Sequence, residues 1–416
     1  MIKLNLIAGP DKGQIIHLHE GFPLLFGRSR HADCQLKDLS ISRVHCEVEL
    51  KRGRVSVTDL DSNSGTFVND KKVAEAYLKE KDVIRIGDTQ MMLAGVPAGE
   101  ESTIALPKNV SINLPAHCMQ ELTGKKLAYF HVGPLLAKAE TGMVFKTTDF
   151  KNDKTVALKV FFPEFTQDDD DMRRFVRAMK TMLQHRHPNL ISILSAGKTG
   201  PYCYISMDII EGESLTQIIQ RIGIAGMLEW THGLRTAFHI GKALEYAHGQ
   251  KIIHRNITPQ NILVQSSDKV AKLGDLMLAK AKDGAFTQQI TKPGELLGDV
   301  RYMSPERTAA TGALDERSDI YSLGATVYAL LTGRPPHDGP SAVDTIKKIR
   351  TETPVKPKKF QMAIPDLFEG AVLKMLAKRP EDRYQSAGEL LKDLERVAKY
   401  QGVKLEEAKK AKAKKP

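Results

Sequence analysis

The periodicity of the apolar residues changes once along the chain, and this change is the strongest constraint on the fold. Residues 1–97 contain short segments that alternate apolar and polar residues, with turn-forming stretches such as KRG, SNSG and NDK between them. The alternating segments are LLFGR, HCEVEL, RVSVTDL, GTFVN, DVIRIG and QMMLAG. Alternation with a period of two and frequent turns is typical of half-buried strands. The sequence therefore predicts an N-terminal all-β sandwich of roughly one hundred residues.

The pattern is different after residue 97. Residues 98–122 lose periodicity and contain prolines, which predicts a linker. Residues 123–397 begin with the strand-like segments LAYFHVG, MVFKTTD and TVALKVFF. Helical segments follow: MRRFVRAMKTMLQH, LRTAFHIGKALEYAHG, IYSLGATVYALLTG and GELLKDLERVAKY. Strands followed by helices predict a bilobal α+β domain, with a small β-rich lobe, a larger helical lobe and a site where they meet.

The first of these helical segments has a clear apolar stripe. Five residues fall on one face at helical spacing: Met172, Phe175, Val176, Met179 and Leu183. This spacing predicts an amphipathic helix with these five residues in the core.

The composition is that of a folded, multi-domain protein, with 41% hydrophobic and 27% charged residues in 416. The formal net charge is +11, and residues 398–416 form a basic tail that ends in KKAKAKKP. A solvated tail and a contact with nucleic acid or membrane are both compatible with this charge, but no aromatic residues are interleaved with the lysines. The sequence therefore favours a solvated tail over contact with nucleic acid or membrane, and the basic charge also suits partners that bear phosphate.

The sequence also predicts a location. It has no apolar run of the roughly 18 residues that a membrane-spanning helix needs, and its N-terminus lacks the pattern of a signal peptide. The four cysteines are scattered: Cys34, Cys46, Cys118 and Cys203. Without a paired CxxC they predict neither a zinc site nor a disulfide framework. We therefore expect a soluble, cytoplasmic protein with reduced thiols.

Three islands of polar residues lie at predicted turns of the β domain: GRS (27–29), SISRVH (40–45) and DSNSGTFVN (61–69). A phosphate group is bound well by the planar guanidinium fork of arginine and by hydroxyl and amide donors. The islands supply such groups from Arg28, Ser42, Arg43, Asn63 and Ser64. They therefore predict a phosphate or phospho-residue site.

In this order and spacing, the three islands resemble a forkhead-associated (FHA) domain, which reads phosphothreonine peptides. The resemblance covers the whole N-terminal domain. It implies that Arg28 and Ser42 grip the phosphate, helped by Arg43 and Asn63. It further implies that Asn69 touches the peptide backbone, that His45 braces the loop and that Gly27 and Gly65 shape turns. Ser64 departs from the family, since many members carry asparagine immediately before the GT pair.

The second domain contains six fragments in a fixed order: VALK (156–159), HRNITPQN (254–261), KLGDLM (272–277), SPE (304–306), SDIYSLG (318–324) and KRPEDR (378–383). Together they resemble the eukaryotic-like serine/threonine protein kinases of bacteria, over residues 123–397. The resemblance implies ATP and Mg²⁺ as cofactors and a protein as substrate or partner.

The resemblance also assigns residues to roles. Lys159 would bind the nucleotide phosphates, while Asp275 and Asn261 would bind magnesium. Gly142 and Val144 belong to the phosphate-covering loop, and Val144, Ala157 and Leu263 would enclose the adenine. Three further residues have structural roles: Asp319 under the catalytic loop, and Glu306 paired with Arg383.

Several catalytic positions depart from the kinase pattern. The aspartate that should orient the substrate hydroxyl is Asn256, which is neutral and is no general base at pH 7. The usual lysine two residues later is Thr258, and the threonine before the SPE triplet is Asp299. Asp299 either supplies the carboxylate that position 256 lacks or reflects loss of the network.

The departures extend to the nucleotide-binding elements. The phosphate-covering loop has alanine at two of three glycine positions, Ala137 and Ala139, and the helix glutamate that pairs with Lys159 falls on Ala178. Leu276 and Met277 follow Asp275 in place of phenylalanine and glycine. Lys159 and Asp275 are therefore open to a second interpretation, as a purely structural ion pair.

The sequence leads to one function with two variants. It predicts a signalling protein in which an FHA phosphothreonine reader is fused to a kinase-fold domain. That domain is either a pseudokinase that acts as a scaffold or allosteric regulator, or an atypical active serine/threonine kinase.

Overall fold

The computed structural model of the protein describes residues 2–18, 23–29, 32–51, 53–95, 119, 122–139, 141–162, 176–199, 202–225, 228–276, 299–309 and 314–406. The chain divides into two compact units. One contains Met1–Pro163 and Thr199–Tyr204, and the other contains Glu164–Lys198 and Ile205–Pro416. Each unit is described separately below.

The N-terminal region of the first unit contains eleven strands in its described residues: β1 (Lys3–Ala8), β2 (Ile15–His17), β3 (Leu24–Gly27), β4 (Cys34–Gln35), β5 (Cys46–Lys51), β6 (Arg54–Asp59), β7 (Thr66–Val68), β8 (Lys71–Val73), β9 (Glu75–Leu78), β10 (Val83–Ile86) and β11 (Thr89–Ala94). They form two sheets, ordered β2-β1-β11-β10-β7-β8 and β4-β3-β5-β6-β9. All pairs are antiparallel except β3 with β4.

Apolar residues of both sheets meet in one core. Leu4 and Met91 come from the first sheet, and Phe26 and Val48 from the second, and all four are fully buried. Alternate residues of each strand supply this core because successive side chains of a strand point to opposite faces. Full burial of one such side chain contributes about 1.5–3 kcal/mol. The predicted all-β sandwich is confirmed.

The first unit continues with four antiparallel strands: β12 (Lys126–Leu127), β13 (Phe130–Ala139), β14 (Gly142–Asp149) and β15 (Lys154–Phe161). Gly142 begins β14 where the hairpin passes close to β15. A Cβ on Gly142 would lie 2.1 Å from the backbone oxygen of Val160. Close strand packing therefore accounts for this glycine without any nucleotide.

The remaining strands are β16 (Ile193–Thr199), β17 (Tyr202–Met207), β18 (Gly212–Ser214), β19 (Ile262–Gln265) and β20 (Ala271–Leu273). The helices with described bounds are α1 (Leu215–Ala225), α2 (Trp230–Gly249), α3 (Pro305–Ala309), α4 (Glu316–Thr332), α5 (Ala342–Thr351), α6 (Asp366–Met375) and α7 (Ala387–Gln401). Helix α2 packs against α4 and α7. This α+β region matches the predicted fold class.

Local sequence signals explain where the helices begin and end. Asp315 caps the start of α4 by accepting a hydrogen bond from the backbone N–H of Arg317, and Ser386 caps α7 through Glu389 N–H. Gly333 follows α4 with a φ of 72°, and Gly402 follows α7 with a φ of 64°. Glycine favours these left-handed helix ends because it has no Cβ.

The predicted helix with the apolar stripe differs from expectation at its C-terminal end. Residues 176–181 are helical, but Met182–Gln184 form a 3-10 turn. The tighter turn buries Met182, which is 1% exposed, whereas Leu183 is only partly buried. The prediction for Leu183 was therefore wrong by one position. Met172 and Phe175 lie outside the described residues.

Several other predictions concern segments that the structure describes only in part. Of the predicted linker, Met119 and Leu122 are described, and both are buried. Of the predicted tail, residues 398–401 still belong to α7, and residues 407–416 lie outside the described part. Cys34, Cys46 and Cys203 are free thiols, and Cys118 lies outside the described residues. Within the described chain, no helix has the length and apolar character needed to cross a membrane.

Candidate phosphate and nucleotide sites

Arg28 directly follows strand β3, on a loop that runs close to a neighbouring loop. A Cβ on Gly27 would lie 2.2 Å from the backbone oxygen of Arg43, so only glycine allows this approach. The backbone N–H of Arg28 donates to Ser42 O at 3.1 Å, and its side-chain Nε donates to Ile41 O at 3.1 Å. These two bonds fix the base of the Arg28 side chain while its surface stays exposed to solvent.

Ser42 connects this loop to the third polar island. Its Oγ accepts a hydrogen bond from Asn63 N–H at 2.9 Å. Ser64 Oγ donates to Ser40 O at 3.2 Å, which ties the same two loops together a second time. The fold therefore brings Arg28, Ser42, Asn63 and Ser64 to one end of the sandwich, and Arg43 lies exposed beside them.

His45 lies beneath these loops and is fully buried. Its Nδ1 accepts from the N–H of Ser42 at 3.2 Å, so its Nε2 carries the proton and donates to Gly65 O at 3.1 Å. Burial lowers the pKa of His45, although the Gly65 carbonyl and the Asp59 carboxylate act in the opposite direction. A neutral imidazole is what these two bonds require, and it holds two of the three loops in position.

Asn69 makes hydrogen bonds within the sandwich. It lies at the turn between β7 and β8, where its Nδ2 donates to Asp82 at 2.8 Å and its Oδ1 accepts from Val83 N–H at 3.0 Å. Both polar atoms of the amide therefore hold the sandwich together. An amide has a second N–H and a second oxygen lone pair, so these bonds do not exclude a contact with a peptide backbone, and that role of Asn69 stays a prediction.

Lys72 is a cation near the site that the motif analysis missed. It lies on β8, opposite Phe67 in the β7–β8 hairpin. A Cβ on Gly65 would lie 3.1 Å from Lys72 Nζ, so the ammonium group is next to the turn that carries Asn63 and Ser64. The hairpin register was the signal that would have identified it.

In the second unit, the catalytic-loop backbone is held by Asp319, which is 1% exposed. The carboxylate accepts from the backbone N–H groups of His254 and Arg255 at 2.7 and 2.8 Å, and from the His248 ring at 2.9 Å. Burial works to raise the pKa of Asp319, but the His248 hydrogen bond and the neighbouring donors hold it below its usual value. The loop therefore rests on a buried, charged support.

Asn256 occupies the centre of this loop and is 5% exposed. Its backbone oxygen accepts a hydrogen bond from Asn261 Nδ2 at 2.9 Å, and its N–H donates to His254 Nδ1 at 3.3 Å. Gly274 N–H donates to Asn261 O at 2.8 Å, which brings the neighbouring Asp275 close to Asn261. The backbone of the site is therefore assembled, and only the side chain at position 256 lacks a carboxylate.

The two other changed positions of the network are also visible. Thr258 is buried and precedes the 3-10 turn Pro259–Asn261. Asp299 accepts a fork of bonds from Arg301, with Nε at 2.8 Å and Nη2 at 2.5 Å. The Asp299 carboxylate is therefore already engaged by an arginine two residues away.

The predicted nucleotide-binding residues are divided between the units. In the first unit, the register places Val144 opposite Lys159 and Lys146 opposite Ala157, so Val144, Ala157 and Lys159 share one face of the sheet. Lys159 is buried, with Nζ 5.5 Å from the centre of the Phe161 ring. In the second unit, Leu263 lies on β19 opposite Ser214 and Lys272. Ala137 and Ala139 lie on β13, and Met277 lies outside the described residues.

Asn261 and Asp275 are the residues that would hold a magnesium ion. No group of three or more His, Cys, Asp or Glu residues suited to a metal occurs in the described chain. Asn261 uses its amide nitrogen for Asn256, which leaves its amide oxygen as a ligand beside the Asp275 carboxylate. Hard oxygen donors of this kind, completed by water and phosphate oxygens, are what Mg²⁺ uses in nucleotide sites. The residues present fit the ion.

The structural ion pair of the helical lobe is complete. Arg383 Nη1 and Nη2 donate to the two carboxylate oxygens of Glu306, each at 2.8 Å. Arg383 is 2% exposed, and its other donors bond to the backbone oxygens of Ala377, Lys378 and Arg317. Burial works to raise the pKa of Glu306, but the Arg383 hydrogen bonds and charge hold it low. A buried ion pair is most favourable when the pairing is bidentate and every remaining donor has a hydrogen-bond acceptor.

Comparisons with known proteins agree with this arrangement. The sequence profile of the protein kinase domain matches residues 130–394, more than half of the chain, and that of the FHA domain matches residues 24–87. The chain belongs to the protein kinase family. Its N-terminal region is an FHA domain, as the three polar islands predicted.

The relatives of the kinase domain include bacterial serine/threonine-protein kinases. The chain is 34% identical over 262 residues to a probable serine/threonine-protein kinase of Clostridium perfringens, covering 62% of this chain and 37% of that protein. It is 33% identical over 275 residues to the serine/threonine-protein kinase PrkC of Bacillus subtilis, covering 66% and 41%. The chain thus spans about two fifths of the length of these relatives.

Solved structures show the same fold. The kinase domain of Mycobacterium tuberculosis PknI has a TM-score of 0.51 and 25% identity, and the match covers 66% of this chain and 98% of that one. Residues 1–466 of Rad53 in complex with AMP-PNP have a TM-score of 0.52 and 20% identity, with 94% of this chain and 98% of that one covered. The second likeness concerns the fold alone, and it extends over both the FHA region and the kinase domain.

Proposed function

We propose that this chain is a cytoplasmic signalling protein that recognises a phosphothreonine-containing protein through its FHA domain and uses its kinase domain as a pseudokinase, a scaffold or allosteric regulator. The convergence of Arg28, Ser42 and Asn63 supports the first part, because a guanidinium fork and neutral donors together suit a phosphate dianion. The partner of the FHA domain is a phosphorylated protein. The same protein would also be the substrate or partner of the kinase domain.

The observation that carries the second part is the buried, neutral Asn256 in an otherwise assembled catalytic loop. Orientation of the substrate hydroxyl requires a carboxylate at this place, and an amide does not accept the proton. The Arg301 fork engages the Asp299 carboxylate, which disfavours Asp299 as its replacement. The loop therefore keeps its shape without the group that performs the proton transfer.

Nucleotide binding is compatible with this proposal. Lys159, Val144 and Ala157 would contact ATP from one sheet face, while Asn261 and Asp275 would hold magnesium with oxygen ligands. ATP would supply the γ-phosphoryl group. A thermal shift with ATP and magnesium on the intact chain, compared with Lys159→Ala, measures this directly. A shift that Lys159→Ala abolishes means that the nucleotide site is functional.

The test of the pseudokinase is phosphate transfer from γ-labelled ATP, with magnesium, to the chain itself and to a basic protein substrate. We expect the wild-type chain to incorporate no more label than Asp275→Ala. The matched variant is Asn256→Asp, which restores the carboxylate with an almost isosteric side chain. Label in the wild-type chain that Asp275→Ala abolishes would contradict the proposal.

The alternative is an atypical active serine/threonine kinase, and one observation favours it. The bond from Asn261 to the Asn256 backbone and the Asp319 support leave the loop geometry intact. Loss of a general base costs about 10²–10⁴-fold in rate, which leaves slow transfer where positioning is intact. In that case Asn256→Asp raises an existing rate by about the same factor.

A further inference from the structure

Strand β5 has a buried residue on its outward face. Cys46, Val48 and Leu50 point into the sandwich core. Successive residues of a strand point to opposite faces, so Glu47 points away from this core. A charged residue on the outer face of a small sandwich is normally in solvent. Glu47 is nevertheless only 7% exposed.

Leu25 on the neighbouring strand β3 is also buried on the outward face of the sheet. Leu25 lies opposite Glu47 in the β3–β5 pair and therefore shares its face. Phe26 belongs to the sandwich core, whereas Leu25 is 3% exposed although it points outward. Two adjacent outward residues are thus withdrawn from water, so this face of the sheet is covered.

Residues that follow the FHA domain in the same compact unit make bonds to this side of the sandwich. Lys126 Nζ on β12 lies 2.5 Å from Asp33 Oδ1 in an ion pair. Lys151, in the turn between β14 and β15, donates from Nζ to Leu60 O at 2.5 Å and to Asp61 O at 2.8 Å. The small lobe of the kinase domain is therefore bonded to two FHA loops.

The aromatic residues of the small lobe lie at the same place. Lys151 Nζ is 5.6 Å from the centre of the Tyr129 ring, and Tyr129 is 5% exposed. Tyr204 is also buried, and burial, then Tyr129, then Glu47 raise its pKa. The charge of Glu47 therefore acts on a small-lobe tyrosine, and the Lys126 and Lys151 bonds hold the small lobe against the FHA loops beside this face.

The position of the Lys151 bonds connects this surface to phosphate recognition. Leu60 and Asp61 directly precede the turn that carries Asn63 and ends at Gly65, the partner of His45. The charge of Lys151 also contributes to the lowered pKa of His45. On the kinase side, the turn 150–153, which contains Lys151, connects β14, which carries Val144, to β15, which carries Lys159.

We propose that the FHA domain docks in cis on the small lobe of its own kinase domain, and that Lys151 couples the phosphopeptide-binding turn 60–65 to the turn 150–153. The coupling rests on the proposed function of the FHA domain as a phosphothreonine reader. Lys151 is a positioning residue: it holds the backbone oxygens from which the turn begins and does not contact the phosphate. Peptide binding fixes the turn, and the small-lobe turn becomes more ordered in response.

The test uses the full chain and a degenerate peptide library with a fixed phosphothreonine, with the threonine library as control. We expect Lys151→Met to weaken binding about fivefold, because it removes the ammonium group that bonds to Leu60 O and Asp61 O. Lys151→Arg should restore it, because arginine keeps the charge and the donors. Lys154→Met is the matched control, since Lys154 is an exposed lysine on the neighbouring strand, and we expect wild-type affinity.

Hydrogen exchange provides the second readout. In the wild-type chain, the phosphothreonine library should slow amide exchange in residues 149–155 as well as in residues 60–65, and Lys151→Met should remove the effect at 149–155. Equal affinity of Lys151→Met and wild type, with protection confined to the FHA domain, would overturn the coupling.

Failure of the phosphothreonine-reader function gives a different result from failure of the coupling. If no phosphothreonine peptide binds the wild-type chain, the reader function and the coupling both fall. The docking is then decided by exchange without peptide. Faster exchange of residues 59–65 in Lys151→Met than in Lys154→Met supports docking, and identical exchange overturns it.

Discussion

The FHA loops and the catalytic loop differ in which part of the site is kept. In the FHA domain, the proposed phosphate ligands Arg28 and Ser42 carry groups that suit a phosphate and lie on exposed loops. In the kinase domain, the buried Asp319 keeps the backbone of the loop in place, while the reacting position is the neutral Asn256. One site preserves its side-chain chemistry and the other preserves its scaffold.

This difference separates two roles that a family motif combines. A residue such as Arg383 is needed for the fold whether or not phosphate is transferred, because its buried charge must be neutralised. A residue at position 256 is needed only for the chemistry. In the kinase domain, Asp319, Glu306 and Arg383 are of the first kind, and in the FHA domain so is His45.

Arg383→Met should have the largest effect on stability. It leaves the half-buried Glu306 carboxylate without its partner, and breaking a buried pair costs about 3–5 kcal/mol. We expect a matching loss in the free energy of unfolding of the kinase domain, measured by denaturant titration followed through hydrogen exchange of α4 and α7. The control is Arg379→Met, which removes an exposed pair with Asp382. Similar stability of the two variants would contradict the scaffold role.

Arg28→Ala should have the largest effect on binding without affecting the fold. It removes charge-assisted hydrogen bonds of about 1.5–3 kcal/mol each, so we expect an affinity loss of about a hundredfold. The measurement is titration of a labelled phosphothreonine peptide library. Arg54→Ala, an exposed arginine on β6, is the control. Unchanged affinity of Arg28→Ala would contradict this comparison, because the FHA site would then have lost its phosphate-binding side chains as well.

The sequence predicted those parts of the sites that depend on short motifs. Arg28, Ser42 and Asn63 were identified because their islands fall at turns, and Asp319 was identified because its fragment occurs in a fixed order. The bonds of Asn69 within the sandwich were not predicted, because its motif position does not reveal that Asp82 and Val83 bond to its amide. Helix α6 was not identified from the sequence, although Phe368, Ala371, Val372 and Met375 are buried at helical spacing. This apolar period was a signal that could have found it.

Features that depend on tertiary contacts were not predictable from the sequence. Alternation on β5 predicts that Glu47 faces solvent, and only the cover on the outer sheet face makes it buried. Met182 replaces Leu183 in the core because the helix tightens into a 3-10 turn at its end. In both cases the local pattern is correct and a later packing event decides the outcome.

Two glutamates, the buried Glu47 of the FHA domain and the half-buried Glu306 of the kinase domain, differ in the direction of their pKa shifts. Arg383 holds the pKa of Glu306 low, whereas burial, then the charges of Glu49 and Asp33, raise the pKa of Glu47 to about 7. Between its ordinary value and about 7, the folded state binds this proton more tightly than the unfolded state. The contribution of Glu47 to stability is therefore lost as the pH rises through this window.

Glu47→Gln should remove that pH dependence. The variant should be more stable than wild type by about 3 kcal/mol at pH 8, and the difference should vanish near pH 4.5. The measurement is denaturant unfolding of the first unit at both pH values, with Glu80→Gln, an exposed glutamate of the same domain, as the control. Tyr204 and Asp33, which interact electrostatically with Glu47, are not mutated in this variant. An equal gain at both pH values would show that burial of the charge is not the cause.

Lys72→Met should have the smallest effect, and it asks whether the FHA site contains a cation that its motifs do not specify. The ammonium lies beside the turn at Gly65, so it adds attraction for a phosphate dianion without a fixed hydrogen bond. An exposed charge of this kind is worth up to about 1 kcal/mol, so we expect affinity to fall about threefold to fivefold and the salt dependence to weaken. Lys71→Met, on the same strand and equally exposed, is the matched control. A loss that is the same for both lysines would mean that only the general basic charge acts, whereas a loss confined to Lys72 assigns it to the site.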